Sequence, residues 1–143
     1  MSLPYHKLIA WQRADDLFID LHRLTLQYFP REEKYELGSQ LRKSAYSVPA
    51  NIVEGSARET TRETIRFFNI ASASLSETGY GLHAARRLGY ITEEMYLERE
   101  AAVRAVAAPL NGLVRTKRAT LVAKIVVNTG AIAILASHFL QWL

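Results

Sequence analysis

The sequence predicts an all-α protein: an antiparallel up-down four-helix bundle with an apolar helical extension at its C-terminus. Three observations predict it. Apolar residues recur at intervals of three and four through most of the 143 residues, and no stretch sustains strand-like alternation. Only four prolines and seven glycines interrupt the chain, so the periodic segments are long. The breaks between them are short, and helices joined by short loops pack as antiparallel neighbours. The length suits one domain with a real core; residues 1–118 are assigned to the bundle and 119–143 to the extension.

The first helix is predicted from Pro4 to Tyr28, with Leu8, Trp11, Phe18, Leu21 and Leu24 on its apolar side. Pro4 suits a first helical position because its missing N–H has no intrahelical partner there. Pro30 disfavours helix for Phe29 and ends the segment. The second begins near Glu32 to Tyr35 and reaches about Arg58, carrying Leu37, Leu41, Ala45, Val48, Ile52 and Val53. The third runs from about Thr61 to Leu88 along Ile65, Phe68, Leu75 and Leu82. Thr60 with Glu63 resembles a capping box, and Gly89 is placed to end the helix in a left-handed residue. The fourth has Thr92 as N-cap, Glu93 and Glu94 against the positive end of the dipole, and Tyr96, Val103, Val106, Leu110 and Leu113 as its apolar line. Pro109 falls inside it, where uninterrupted helix is expected.

The last segment, ATLVAKIVVNTGAIAILASHFLQWL, differs in kind. It follows the basic cluster Arg115, Lys117 and Arg118, and after Lys124 it holds no Lys, Arg, Asp or Glu. Residues 121–143 have the length to span a bilayer with the basic flank on the cytoplasmic side. Asn128, Thr129, Gly130, Ser137, His138 and Gln141 weaken that reading. A helix packing on its own bundle or on a neighbouring subunit is the principal expectation, and a membrane tether the alternative.

Composition excludes several chemistries. There is no cysteine, so disulfides, thiol nucleophiles and Cys-based zinc sites are ruled out, which fits a cytoplasmic protein. The opening MSLPYHKLIAWQRADD becomes charged too early for a signal peptide. His6, His22, His83 and His138 form no i, i+4 or Glu-x-x-His pair, so no metal is expected. Neither a Gly-x-Ser-x-Gly elbow nor a glycine-rich phosphate loop occurs, so no catalytic residue and no cofactor is assigned. A non-enzymatic role is expected.

The most distinctive stretch is SVPANIVEG, residues 47–55. Ser47, Asn51, Glu54 and Arg58 step by four, three and four and share a helical face beside Leu41, Ala45, Val48 and Ile52. Pro49 removes the hydrogen bond to the Ala45 carbonyl, bends the helix, and leaves an acceptor for a nearby serine or asparagine. Ser47, Pro49, Asn51, Glu54 and Gly55 therefore read as a structural motif bonded to a neighbouring helix or subunit. In helix three, small residues through ASASLSETGYG lie on more than one face and suggest an oligomer interface as well as an intramolecular one.

A net charge of +4 permits contact with nucleic acid without requiring it. Arg58, Arg62 and Arg66 step by four into helix three, and Arg42-Lys43, Arg86-Arg87 and Arg115–Arg118 add positive patches. Around a symmetric ring such a stripe becomes a belt that neutralises phosphates.

Leu8-x-x-Trp11, Phe29-Pro30, Glu33-x-Tyr35-x-Leu37, Gln40-Leu41-Arg42-Lys43, Ser47 to Gly55 with Arg58, Ser74-Leu75-x-Glu77 and Leu88-Gly89-Tyr90-Ile91 occur in an order that resembles one bacterial family. Its founding members are encoded in intervening sequences of 23S ribosomal RNA genes. It is also similar to the accessory variability determinant proteins of diversity-generating retroelements. The resemblance covers residues 5–114 and implies a small cytoplasmic four-helix bundle that assembles as a homopentamer. Through the accessory proteins it implies a basic surface that binds nucleic acid and a partner reverse transcriptase. The expected contacts with structured RNA or RNA–DNA hybrid are Arg42, Lys43, Arg58, Arg62 and Arg66. A protein-interaction scaffold without nucleic acid is the competing expectation, and a membrane-tethered bundle a third. The apolar tail departs from the family pattern.

Overall fold

The computed structural model describes residues 3–140. A short 3-10 helix at Pro4–Lys7 precedes four α-helices: α1 (Ile9–Tyr28), α2 (Leu37–Ser56), α3 (Thr61–Arg87) and α4 (Glu93–Leu140). No strand occurs among the described residues. Each helix packs on its neighbours in the chain and α4 closes the ring against α1, while among the described residues the diagonal pairs have no close backbone approach. This is the up-down bundle that the periodicity predicts.

The core runs down the middle of the ring, and its composition corrects the expected face of α1. Ala10, Ala14, Leu17, Leu21 and Leu24 are the buried residues, whereas Trp11 and Phe18 are only partly buried. Two alanines let the neighbouring helices approach, and the large rings are displaced to the edge. There Phe18 meets Tyr46 of α2 edge-on at 5.5 Å, and Trp11 packs on Tyr5 at 5.0 Å. Pro4 does open a helical turn, but Leu8 is extended (φ −79°, ψ 116°) and separates that turn from α1.

Helix two starts later than predicted. Residues 31–36 form turns, and Glu36 (φ −100°, ψ −102°) is not helical. The Gly38 N–H donates to the Glu33 carbonyl at 2.8 Å, and a Cβ on Gly38 would lie 2.9 Å from that oxygen. A residue without a side chain is needed for this closure. α2 then runs unbroken through Pro49.

The predicted caps at both ends of α3 and at the start of α4 are found, while α4 and the extension form one continuous helix. Thr60 Oγ1 accepts from the Glu63 N–H at 3.2 Å and donates to Glu63 Oε2 at 2.9 Å, so Glu63 reaches back to the hydroxyl of Thr60. Gly89 adopts φ +76°, with its N–H bonded to the Arg86 carbonyl and the Tyr90 N–H bonded to that of Ala85, the paired bonds of a Schellman end. Thr92 Oγ1 accepts from the Met95 N–H at 3.2 Å.

Pro109 does not interrupt α4, contrary to expectation. Its missing N–H frees the carbonyl of Ala105, four residues earlier. Arg13 of α1 donates Nη1 to that oxygen at 2.8 Å. The loss inside one helix is thus made good by another. Arg13→Ala is expected to destabilise the protein by about 0.5–1.5 kcal/mol, and by much less once Pro109→Ala restores the backbone donor. Urea unfolding of the two single variants and the double variant measures the difference.

α4 has 48 residues, about 72 Å at 1.5 Å per residue, and outruns the bundle. Over residues 93–130 Val114 is its last buried residue; residues 115–120 and 122–130 are exposed. The extension, expected over 119–143, therefore does not pack on its own bundle at 119–120 and 122–130, where its residues are exposed, while Leu121 is partly buried. Residues 141–143 of the tail lie outside the described residues. Among the described residues no helix is long and apolar enough to cross a membrane.

Candidate nucleic-acid interface

The stripe Ser47, Asn51, Glu54 and Arg58 divides between two jobs. Ser47 Oγ lies 2.8 Å from Ser74 Oγ of α3, which joins the two helices. Asn51 Nδ2 donates to Ser47 Oγ at 2.9 Å and to the Ser47 carbonyl at 2.8 Å. The expected side-chain donor exists, but it serves Ser47 and not the Ala45 carbonyl. Sequence reading missed two members of this polar seam. Thr78 Oγ1 donates to Ser44 Oγ at 3.0 Å, and both residues are buried. Their signal was polar residues falling among the apolar positions of α2 and α3. Gly55 closes the motif, since a Cβ there would lie 2.9 Å from two ring carbons of Phe68.

One of the two glycines of α3 has an explanation within the chain. A Cβ on Gly81 would meet Leu41 Cδ1 at 2.9 Å, and one on Gly79 would meet Val103 at 3.9 Å. Gly81 thus accommodates α2 and is accounted for within the chain, whereas a side chain at Gly79 would make only an ordinary contact with α4. Ala73 and Ser76 remain exposed on α3.

Glu54 and Arg58 form an ion pair, and the Arg58 guanidinium lies 4.9 Å from the centre of the Phe67 ring. Arg58 sits just past α2, at the end of the bundle where α3 begins and α4 leaves. There Ser56, Arg58, Thr64 and Lys117 line one groove of about 200 Å³. Beside it Asn69, Ser72, Asn111, Arg115 and Arg118 line another of about 420 Å³. Arg62 and Arg66 precede Asn69 on the same face of α3, by the four- and three-residue steps. The fold brings together two basic clusters that are far apart in sequence. Arg62, Arg66, Arg115, Lys117 and Arg118 are exposed and make no ion pair among the described residues.

Arg42 does not join them. Its Nη1 donates to Thr25 Oγ1 at 2.9 Å and its Nη2 to the Lys34 carbonyl at 2.8 Å, so it clamps the α1–α2 connection. The reason is its position on the side of α2 that faces α1. Lys43 is exposed, but it lies 13 residues before Ser56, about 20 Å up the helix from the basic end. Arg86, at the opposite end, is engaged by Glu93 at 3.2 Å and lies 4.1 Å from the centre of the Tyr96 ring.

A further groove of about 420 Å³ between α1 and α4 is lined by charges of both signs, Arg13 and Arg99 against Asp16, Asp20 and Glu98. Arg99 donates Nε and Nη2 to the two Asp20 oxygens at 3.0 and 3.1 Å, and Nη1 to Glu98 at 2.9 Å. Burial opposes the Arg99 charge, but the Asp20 hydrogen bond and the surrounding negative charge outweigh it and raise its pKa above the ordinary arginine value. Among the described residues no three His, Asp or Glu side chains are grouped to hold a metal.

These features define a class: an up-down bundle with a polar seam between its second and third helices and a basic end from which one helix projects. The chain belongs to the family of 23S rRNA-intervening sequence proteins, whose model matches residues 6–112. Among solved structures it is similar to a crystal structure of a protein of unknown function from the S23 ribosomal protein family of Bacteroides thetaiotaomicron. The two are 22% identical with a TM-score of 0.69, over 74% of this chain and 98% of that one. At that identity the likeness shows the fold. About a quarter of this chain has no counterpart there. No curated protein matches the sequence.

Proposed function

We propose that this protein is a non-enzymatic RNA-binding bundle that contacts phosphates through its basic end. The observation that supports it is that Lys117 lines the groove beside Ser56 and Arg58, while Arg115 and Arg118 line the groove against Asn69 and Ser72 of α3. Arg62 and Arg66 lie on the same face of α3 as Asn69, and all five cations are exposed and without an ion pair among the described residues. Phosphate contacts of this kind position a protein without reading sequence, so the target is structured RNA or an RNA–DNA hybrid recognised by shape. The family's tie to ribosomal RNA genes favours RNA, and likeness to the retroelement accessory proteins would add a reverse transcriptase as partner. The same likeness supports a cytoplasmic homopentamer, in which the basic ends of five copies form one charged belt.

The test is binding of a labelled RNA hairpin as a function of salt. Four neutralised phosphates would cost roughly 100-fold in affinity between about 50 and 200 mM salt. Absence of binding at the lower salt rejects the reading. A protein-docking role is favoured instead by the exposed rings of Tyr46 and Tyr80, 59% and 71% accessible on α2 and α3. Native mass measurement of the full chain tests the pentamer.

A further inference from the structure

Past Val114, α4 continues as an unbroken helix, and its side chains are exposed over 115–120 and 122–130. Val122, Ile125, Val126 and Val127 are 51–69% accessible there, a group of apolar residues that the bundle leaves uncovered. At about 100° per residue, Thr120, Lys124 and Asn128, spaced by four, fill an arc of only about 80°. The four apolar residues and the partly buried Leu121 fall on the wide remainder. Thr129 lies among them, but its Oγ1 donates to the Ile125 carbonyl at 2.9 Å and is satisfied within the helix. An apolar face of this width exceeds the seam that one packed helix covers.

Charge decides what covers it. Arg115, Lys117, Arg118 and Lys124 are all exposed, and no Asp or Glu follows Glu100 in the sequence. Packing the extension on the same segment of other copies would crowd these cations with no acidic residue in the segment to pair them. An anionic surface neutralises them instead.

We propose that the α4 extension docks lengthwise on an anionic phospholipid surface. Val122, Ile125, Val126 and Val127 enter the boundary between headgroups and acyl chains. Lys124 and Lys117, seven residues apart on one face, stay level with the phosphates. Arg115 and Arg118 lie toward the apolar side but nearer the bundle, where their long side chains reach headgroup phosphates. The helix rests on the surface and does not span it, since none among the described residues is long and apolar enough to cross. The attachment goes beyond the nucleic-acid reading. It shares Arg115, Lys117 and Arg118 with that site, but its four apolar residues line neither basic groove. Copies related by a single rotation axis would present their extensions to the same side, so assembly strengthens the attachment.

The test is sedimentation of the full-length protein with sucrose-loaded vesicles at low salt, with no RNA present. Phosphatidylcholine vesicles containing phosphatidylserine are expected to bind it on the order of tenfold more tightly than pure phosphatidylcholine. Ile125→Gln with Val126→Gln keeps the charge and is expected to weaken that binding roughly tenfold, because two apolar side chains leave the boundary. Thr120→Gln with Asn128→Gln, on the polar stripe, should leave it unchanged. Val122→Gln with Val127→Gln serves if circular dichroism shows that the first pair loses helix. No binding to the phosphatidylserine vesicles, or equal binding to pure phosphatidylcholine, would overturn the proposal. So would equal binding by the natural chain and the Ile125 and Val126 variant, which would put the attachment on the bundle's basic end alone. Loss of a higher assembly in that variant, by native mass measurement without lipid, would assign the face to a second copy and also count against it. Failure of an RNA hairpin to bind rejects the nucleic-acid reading and leaves this result standing.

Discussion

Phe68→Ala is expected to lower the free energy of unfolding by about 3–5 kcal/mol, the range for emptying a buried aromatic site. The Phe68 side chain is 2% exposed and packs against Gly55, at a close approach of α2 and α3. That closeness depends on Gly55, so the complementary change is as informative. Gly55→Ala would put a methyl group 2.9 Å from Phe68 Cδ1 and Cε1 and 3.1 Å from Phe67 Cβ. Overpacking of that kind costs about 1–3 kcal/mol. In a Phe68→Ala background most of the obstruction is gone, and the intrinsic helix preference for alanine over glycine works in the other direction. Gly55→Ala should then cost less than about 1 kcal/mol. Urea unfolding of the four proteins decides it. An equal cost in both backgrounds would mean that contact with Phe68 is not what holds glycine at the end of this motif.

Reversing charge at Arg115 and Lys117 together should weaken RNA binding by roughly 10- to 100-fold at low salt, and reduce the salt slope by about one for each cation removed. Lys43→Glu should have little effect, because Lys43 lies away from the basic end. Arg42→Ala should leave affinity unchanged while costing about 1–3 kcal/mol of stability, since it orphans the Thr25 and Lys34 contacts. Fluorescence anisotropy at several salt concentrations separates these outcomes, with circular dichroism confirming that each variant is folded. Loss of binding from Lys43→Glu but not from the Arg115 and Lys117 pair would move the interface off this end of the bundle.

Arg42 and Lys43 show where sequence reasoning reaches its limit. They are adjacent basic residues on one helix, and nothing local distinguishes them. A rotation of about 100° per residue places one against the α1–α2 connection and leaves the other in solvent. The polar stripe makes the same point. Spacing alone puts Ser47, Asn51 and Glu54 on one face of α2, but Arg58 lies past the helix end, and only packing gives Ser47 to Ser74 and leaves Glu54 to Arg58. Pro109 reads as a break because its lost hydrogen bond is visible in the sequence. Its repair by Arg13, from another helix, is not.

The sequence by itself determined the helices, their caps and their count. Thr60, Thr92 and Gly89 act through bonds to residues within a turn, and apolar periodicity is a property of each segment alone. Tertiary structure decided which flank of α1 is core, which arginine is a clamp, and that Arg58 and Lys117 line one groove. It also decided that α4 runs unbroken from the bundle through residues 122–130, which are exposed. The physical reason is the range of the interactions. Caps and periodicity are fixed over a few residues, whereas the partner of a side chain depends on how neighbouring helices are placed around it.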